Sequence, residues 1–186
     1  MSGDILDECF RSFRHSALRL ETLPAYTASS EAERIRAWRE GRPRPERSVR
    51  TSEYLREVAA NVLAGRERMR VRIVDHPLSE YCRYQMAGYI ESAAAGEQIR
   101  IVVRGGGSEQ ARQDLDVVSD FWFFDQGTEH ERAVLLDYDA KGAPTGAHLA
   151  TEPDLASCRK LWATAYKHSV HINEYLAEAR MVTSVT

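Results

Sequence analysis

Ile5, Leu6, Cys9, Phe10 and Phe13 recur at helical spacing, so the chain opens on a short amphipathic helix with an aromatic face. Leu18, Leu20 and Thr22 then alternate with Ala17, Arg19 and Glu21, which predicts a short extended segment stopped at Pro24. Ile35 and Trp38 share one face of a helix that ends at Gly41. Arg42-Pro43-Arg44-Pro45 cannot continue it, because each ring fixes φ and removes a donor, so a stiff basic connector follows. A further helix is predicted over 52–64 with Tyr54, Leu55, Val58, Val62 and Leu63 inward and Gly65 as its stop.

From Met69 the period falls to two. Met69, Val71 and Ile73 alternate with Arg70 and Arg72 as a half-buried strand, and His76-Pro77 ends it. Ser79 caps a predicted helix over 80–94, and Ile99, Ile101 and Val103 mark a second strand. This strand-helix-strand unit pairs most simply in parallel with a right-handed crossover. Gly105-Gly106-Gly107-Ser108 opens a predicted polar loop to about 114, after which Phe121-Trp122-Phe123-Phe124, 133–138 and 145–150 read as a three-strand meander. Pro153 suits the first turn of a final helix running to about 180, with Leu155, Cys158, Trp162, Ala165, Ser169, Ile172 and Leu176 on one face. The expected class is α+β: a mixed sheet of about five strands, β-α-β then the meander, with packed helices. A helical N-terminal region over 1–66 and an α/β core over 67–186 are expected to form one compact unit.

Hydrophobic residues at 43% and charged residues at 28% of 186 are those of an ordinary globular chain. The longest apolar stretches fall far short of the ~20 residues that span a bilayer, and Met1-Ser2-Gly3-Asp4 lacks the order of a leader, so a cytoplasmic protein without membrane association is expected. Cys9, Cys82 and Cys158 are odd in number and far apart, which argues for buried free thiols. The net charge of −3 hides an Arg-rich stretch over 34–72, with 12 Arg against five Glu. Such a stretch suits phosphate or an acidic protein, but a solvated basic face accounts for it more simply, since Arg outnumbers Lys by 22 to three along the whole chain.

Catalytic signatures are missing: there is no G-x-S-x-G and no H-E-x-x-H. His168 and His171 with Glu174 are too weak a pattern for a metal, and Asp125, Asp137 and Asp139 read as turn formers as readily as catalytic carboxylates. No catalytic residue, metal or cofactor is therefore expected. The most suggestive cluster is Arg70, Arg72, Glu80, Tyr81, Arg83 and Tyr84, where a strand passes into a helix N-terminus and guanidinium forks with Tyr hydroxyls suit an anionic or planar ligand. Arg83 and Tyr84 can equally bridge helix to sheet.

Four blocks carry a resemblance: Phe10-x-x-Phe13-x-His15-Ser16-Ala17-Leu18-Arg19-Leu20-Glu21-Thr22-Leu23-Pro24-Ala25-Tyr26, Pro77-Leu78-Ser79-Glu80-Tyr81-x-Arg83-Tyr84, Gly96-Glu97-Gln98-Ile99-Arg100, and Asp120-Phe121-Trp122-Phe123-Phe124-Asp125. In this order they resemble DUF6879, an actinobacterial domain family of unknown function. The resemblance implies a stand-alone cytoplasmic protein, frequently encoded beside an XRE-type helix-turn-helix regulator, with no established activity. The topology is also faintly similar to one half of the phospholipase D fold, but His130 is followed by Glu131 and Arg132 instead of the H-x-K pair that chemistry needs. The expected function is a non-enzymatic regulatory or ligand-sensing accessory protein that acts through a protein partner, a helix-turn-helix regulator. The alternative is a small enzyme or binder acting on an anionic metabolite at the Arg/Tyr pocket. Direct nucleic-acid binding is not expected, since the chain is net acidic and shows no recognition helix of its own. A homodimer through the exposed-looking Trp162 and Tyr166 is the further expectation.

Overall fold

Alternation along two neighbouring strands gives the sheet one apolar and one charged face. β1 (Ser16–Glu21) and β2 (Glu67–Val74) pair in parallel with Arg19 opposite Arg70. Leu18, Leu20, Met69, Val71 and Ile73 therefore fall on one side, and Arg19, Glu21, Arg68, Arg70 and Arg72 on the other. The computed structural model that shows this describes residues 2–106, 108–116 and 119–183. α4 (Glu80–Ala94) crosses from β2 to β3 (Gln98–Val103), which pairs in parallel as expected. β4 (Asp120–Phe124) lies antiparallel to β1, and β5 (Arg132–Tyr138) and β6 (Pro144–Leu149) complete the meander. β7 (Val170–His171) closes the far edge against β3, giving the order β6-β5-β4-β1-β2-β3-β7.

The mixed α+β sheet is thus present, but with seven strands instead of about five. One addition is β1, so the stretch over 1–66 contributes an inner strand of the sheet as well as α1 (Ser2–Ser12), α2 (Ala32–Arg39) and α3 (Glu53–Leu63). The other is β7, which splits the expected long final helix into α6 (Glu152–His168) and α7 (Ile172–Thr183). An unpaired edge of β3 explains the break: its backbone groups need a partner, and Arg100 holds the crossing segment by donating to Ser169 Oγ at 2.8 Å and to the Ser169 carbonyl at 2.6 Å. His168 and His171 accordingly sit on different elements.

The expected loop after Gly105 contains α5 (Glu109–Leu115), started by Ser108, whose hydroxyl accepts the Ala111 N–H at 3.2 Å; Gly107 lies outside the described residues. α5 and α6 cover the apolar face, where Leu20, Val71, Phe121, Phe123, Leu115, Leu161, Trp162 and Ala165 pack together. Trp162 is buried there, so of the pair expected to be exposed only Tyr166 faces solvent. Val62 and Leu63 also depart from expectation. The last turn of α3, which hands over to β2 through Gly65, presents them outward, and Leu63 is 88% exposed. On the other face α1 lays Cys9, Phe10 and Phe13 on Trp122, Phe124 and Val134. All three cysteines are free and buried.

Candidate functional site

The charged face is roofed, not solvated. α4 runs over it, the segment 26–31 with Arg34 closes one side, and Tyr54 of α3 with Arg47 of the connector closes another, leaving a cavity of about 340 Å³. Its floor is Arg19, Glu21 and Arg70, and its walls carry Tyr26, Tyr54, Tyr81, Tyr84, Tyr89 and Tyr138. Arg68 and Arg72 beside it are 1% and 0% exposed, so these guanidinium groups have left water and need partners in the protein.

Those partners come from every strand around them. Arg70 reaches Glu21, donates to Glu97 Oε1 at 3.1 Å and to the Tyr54 hydroxyl at 2.8 Å, while Tyr54 donates to Glu97 Oε1 at 2.9 Å. Arg19 donates to Asp120 Oδ2 at 2.8 Å and to the Tyr138 hydroxyl at 3.0 Å. Asp120 also accepts from Tyr26 at 2.5 Å and from the Thr22 backbone and hydroxyl at 2.8 and 2.7 Å. Arg72 donates to the Tyr26 hydroxyl at 3.1 Å and to the Leu23 carbonyl, and its guanidinium lies 5.1 Å from the Tyr26 ring centre. Arg68 has ring faces in place of hydrogen bonds: Phe10 at 5.1 Å, and Tyr54 and Trp122 at 5.5 Å each.

This packing locks protonation states. Burial works against the charged form of Glu21, but Arg70, Arg19 and Arg72 outweigh it and hold its carboxyl at about 2, below the ordinary 4.5. Burial raises the Tyr89 and Tyr26 hydroxyls well above their usual range, with Glu21 adding to it, and also raises Tyr54, Tyr81, Tyr84 and Tyr138. Glu21 consequently contributes stability that is complete above pH 4.5 and is lost as pH falls toward 2. Urea midpoints measured between pH 6 and 3 are expected to fall with pH, and Glu21→Gln removes part of that fall. Identical pH profiles for the two proteins would contradict the coupling.

Of the six residues singled out by sequence, Arg70, Tyr81 and Tyr84 line the cavity. Tyr81 donates to Glu31 Oε2 at 2.8 Å. Arg72 lies beneath the cavity, tied to Tyr26 and the Cys82 sulfur, the latter at 3.2 Å. Glu80 faces solvent and accepts from Arg39 at 2.7 Å, and Arg83 is exposed and donates to the Leu78 carbonyl at 2.9 Å, so neither joins the cluster. Sequence reasoning missed Arg19, Glu21, Tyr26, Tyr54, Gln85, Gly88, Tyr89 and Tyr138. The signal for the first two was present: Arg19 and Glu21 alternate against Leu18 and Leu20 as Arg70 and Arg72 do against Val71 and Ile73. Gly88 carried another, because a glycine inside a helix costs about 1 kcal/mol relative to alanine and so wants a reason. Here it lines the cavity, and an added Cβ would meet nothing within 4 Å.

A family described as a domain of unknown function, DUF6879, matches residues 4–177 of the chain. No curated protein and no solved structure matches it. Among the described residues no helix is long and apolar enough to cross a membrane.

Proposed function

We propose, from the premise that this chain belongs to the DUF6879 family, that it is a cytoplasmic ligand-sensing accessory protein without catalytic activity of its own. Its cavity takes a small planar anion, and the occupied state is read by a protein partner, a helix-turn-helix regulator. One observation carries the ligand half: a roofed cavity lined by four guanidinium groups, those of Arg19, Arg34, Arg47 and Arg70, against two carboxylates, with six tyrosine rings for a planar body. Binding is favoured over turnover because a general acid or base works best with a pKa near the working pH. Glu21 is held far below neutrality and the tyrosine hydroxyls above it, which leaves fixed donors and acceptors. The partner half rests on the regulatory context that the family resemblance implies.

Gly88 gives the test. Gly88→Ala is expected to stabilise the protein by about 0.5–1 kcal/mol in urea unfolding, since the position is helical and open. Gly88→Leu is expected to keep the fold and fill the cavity. Both proteins are purified without denaturation, and the small molecules they release are identified by mass spectrometry. An anionic molecule released by the wild type and lost from Gly88→Leu supports the reading, whereas neither protein or both proteins carrying one overturns it. Capture of a helix-turn-helix protein by the wild type, weakened by Gly88→Leu, tests the partner half.

A further inference from the structure

Resting on that cavity reading, we infer that the head of the ligand is a phosphate monoester or an equivalent dianion, seated at the mouth on Arg34, Arg44 and Arg47 around the carboxylate Glu91. The floor has little charge to offer, because Arg70 already meets Glu21 and Glu97, and Arg19 already meets Asp120. The mouth differs. Arg34 reaches Glu91 at 2.6 Å, Arg44 at 3.4 Å and Arg47 at 3.6 Å, so three guanidinium groups share one carboxylate; Glu31, which lines the same cavity and accepts from the neutral Tyr81, is the other anion near them, and positive charge is still in excess.

Donor capacity is left over as well. Arg44 Nη1 is shielded from solvent and has no hydrogen-bond partner. The cluster is held in place before any ligand arrives. Arg34 donates to the Pro45 carbonyl, and Arg47 donates to the Gly88 carbonyl and the Ser92 hydroxyl at 3.1 Å each, which clamps the stiff Pro43–Pro45 connector onto α4. Arg34 and Arg47 also line the cavity, so a head bound there has its body among the tyrosines. A phosphate monoester presents three free oxygens to several planar forks at once, where a carboxylate presents two.

The test is calorimetric titration of the full chain, first freed of co-purified small molecules as checked by mass spectrometry, at constant ionic strength, with inorganic phosphate and with phenyl phosphate. Wild type is expected to bind both, phenyl phosphate about tenfold more tightly through its ring. Arg44→Gln, which removes a partly buried side chain whose one ion pair is a 3.4 Å contact and which carries a free nitrogen, is expected to weaken both at least fivefold with the urea midpoint little changed. Arg83→Gln, outside the cluster, is expected to change neither. Gly88→Leu is expected to remove the advantage of phenyl phosphate and to leave inorganic phosphate unchanged. Absence of saturable phosphate binding in the wild type, binding that Arg44→Gln leaves intact, or loss of inorganic phosphate binding in Gly88→Leu would overturn the inference. Equal affinity for the two probes, both weakened by Arg44→Gln, leaves the anion site standing and removes the cavity reading alone.

Discussion

Glu21→Gln is expected to lower the stability of the protein by about 3–5 kcal/mol, the cost of removing one partner from a buried charge cluster. Glu21 is 5% exposed, accepts from Arg70 and Tyr89, and stands 3.7 Å from the Arg19 Nε. Glutamine can still accept the Tyr89 hydroxyl, but it leaves Arg19, Arg70 and Arg72 facing one another with one anion fewer. At this chain length the loss corresponds to a drop of about 10 °C in the unfolding midpoint. Urea unfolding of the two proteins measures it. The exposed Arg39–Glu80 pair, at 58% and 49% side-chain exposure, provides the contrast, since water and salt screen it and Glu80→Gln should leave the stability nearly unchanged. A Glu21→Gln cost as small as that would mean that water reaches the charged face freely.

Asp125→Ala carries the second large effect, about 3 kcal/mol, from two causes that act at one residue. Asp125 sits at φ 51°, in the left-handed region, where Asp and Asn are tolerated far better than Ala. Its carboxylate accepts the backbone N–H groups of Arg14, His15 and Ser16 at 2.9, 2.6 and 3.2 Å, tying the turn between α1 and β1 to the end of β4. Burial opposes its charge, but these three donors prevail and hold its carboxyl below the usual range. Asp125→Asn keeps the backbone preference and one acceptor oxygen, so it should cost about half as much. Equal costs for Ala and Asn in urea unfolding would assign the whole effect to the lost charge and contradict the backbone share.

Much of this fold was legible because alternation and helix caps are local signals. The β2-α4-β3 unit and the meander follow from Met69, Val71 and Ile73, from Ser79, whose hydroxyl accepts the Cys82 N–H at 3.0 Å, and from the run Phe121 to Phe124. β7 was not legible, since two residues make no period, and what forms it is the distant edge of β3 with Arg100. The site divides in the same way. Arg70, Tyr81 and Tyr84 were found because they lie close together in sequence, and Glu80 and Arg83 were included for the same reason although their side chains face outward. Arg19, Glu21, Tyr54 and Tyr138 reach the cavity through tertiary placement. The Arg-rich stretch over 34–72 reads in the sequence as a solvated face, yet Arg34, Arg68, Arg70 and Arg72 turn inward: Glu91 of α4 meets Arg34, Glu21 and Glu97 meet Arg70, Arg72 reaches Tyr26 and the Leu23 carbonyl, and Arg68 lies against aromatic rings.

The central claim is that the roofed charged face of the sheet is a ligand site. A crystal structure of the wild-type protein, purified without denaturation and grown free of phosphate and sulfate, tests it most directly. The expected result is continuous density for a planar molecule among Tyr26, Tyr54, Tyr84 and Tyr89, ending in an anionic group near Arg34, Arg44 and Arg47. A cavity filled by water alone, or closed by Arg19 and Arg70 moving into it, would contradict the claim.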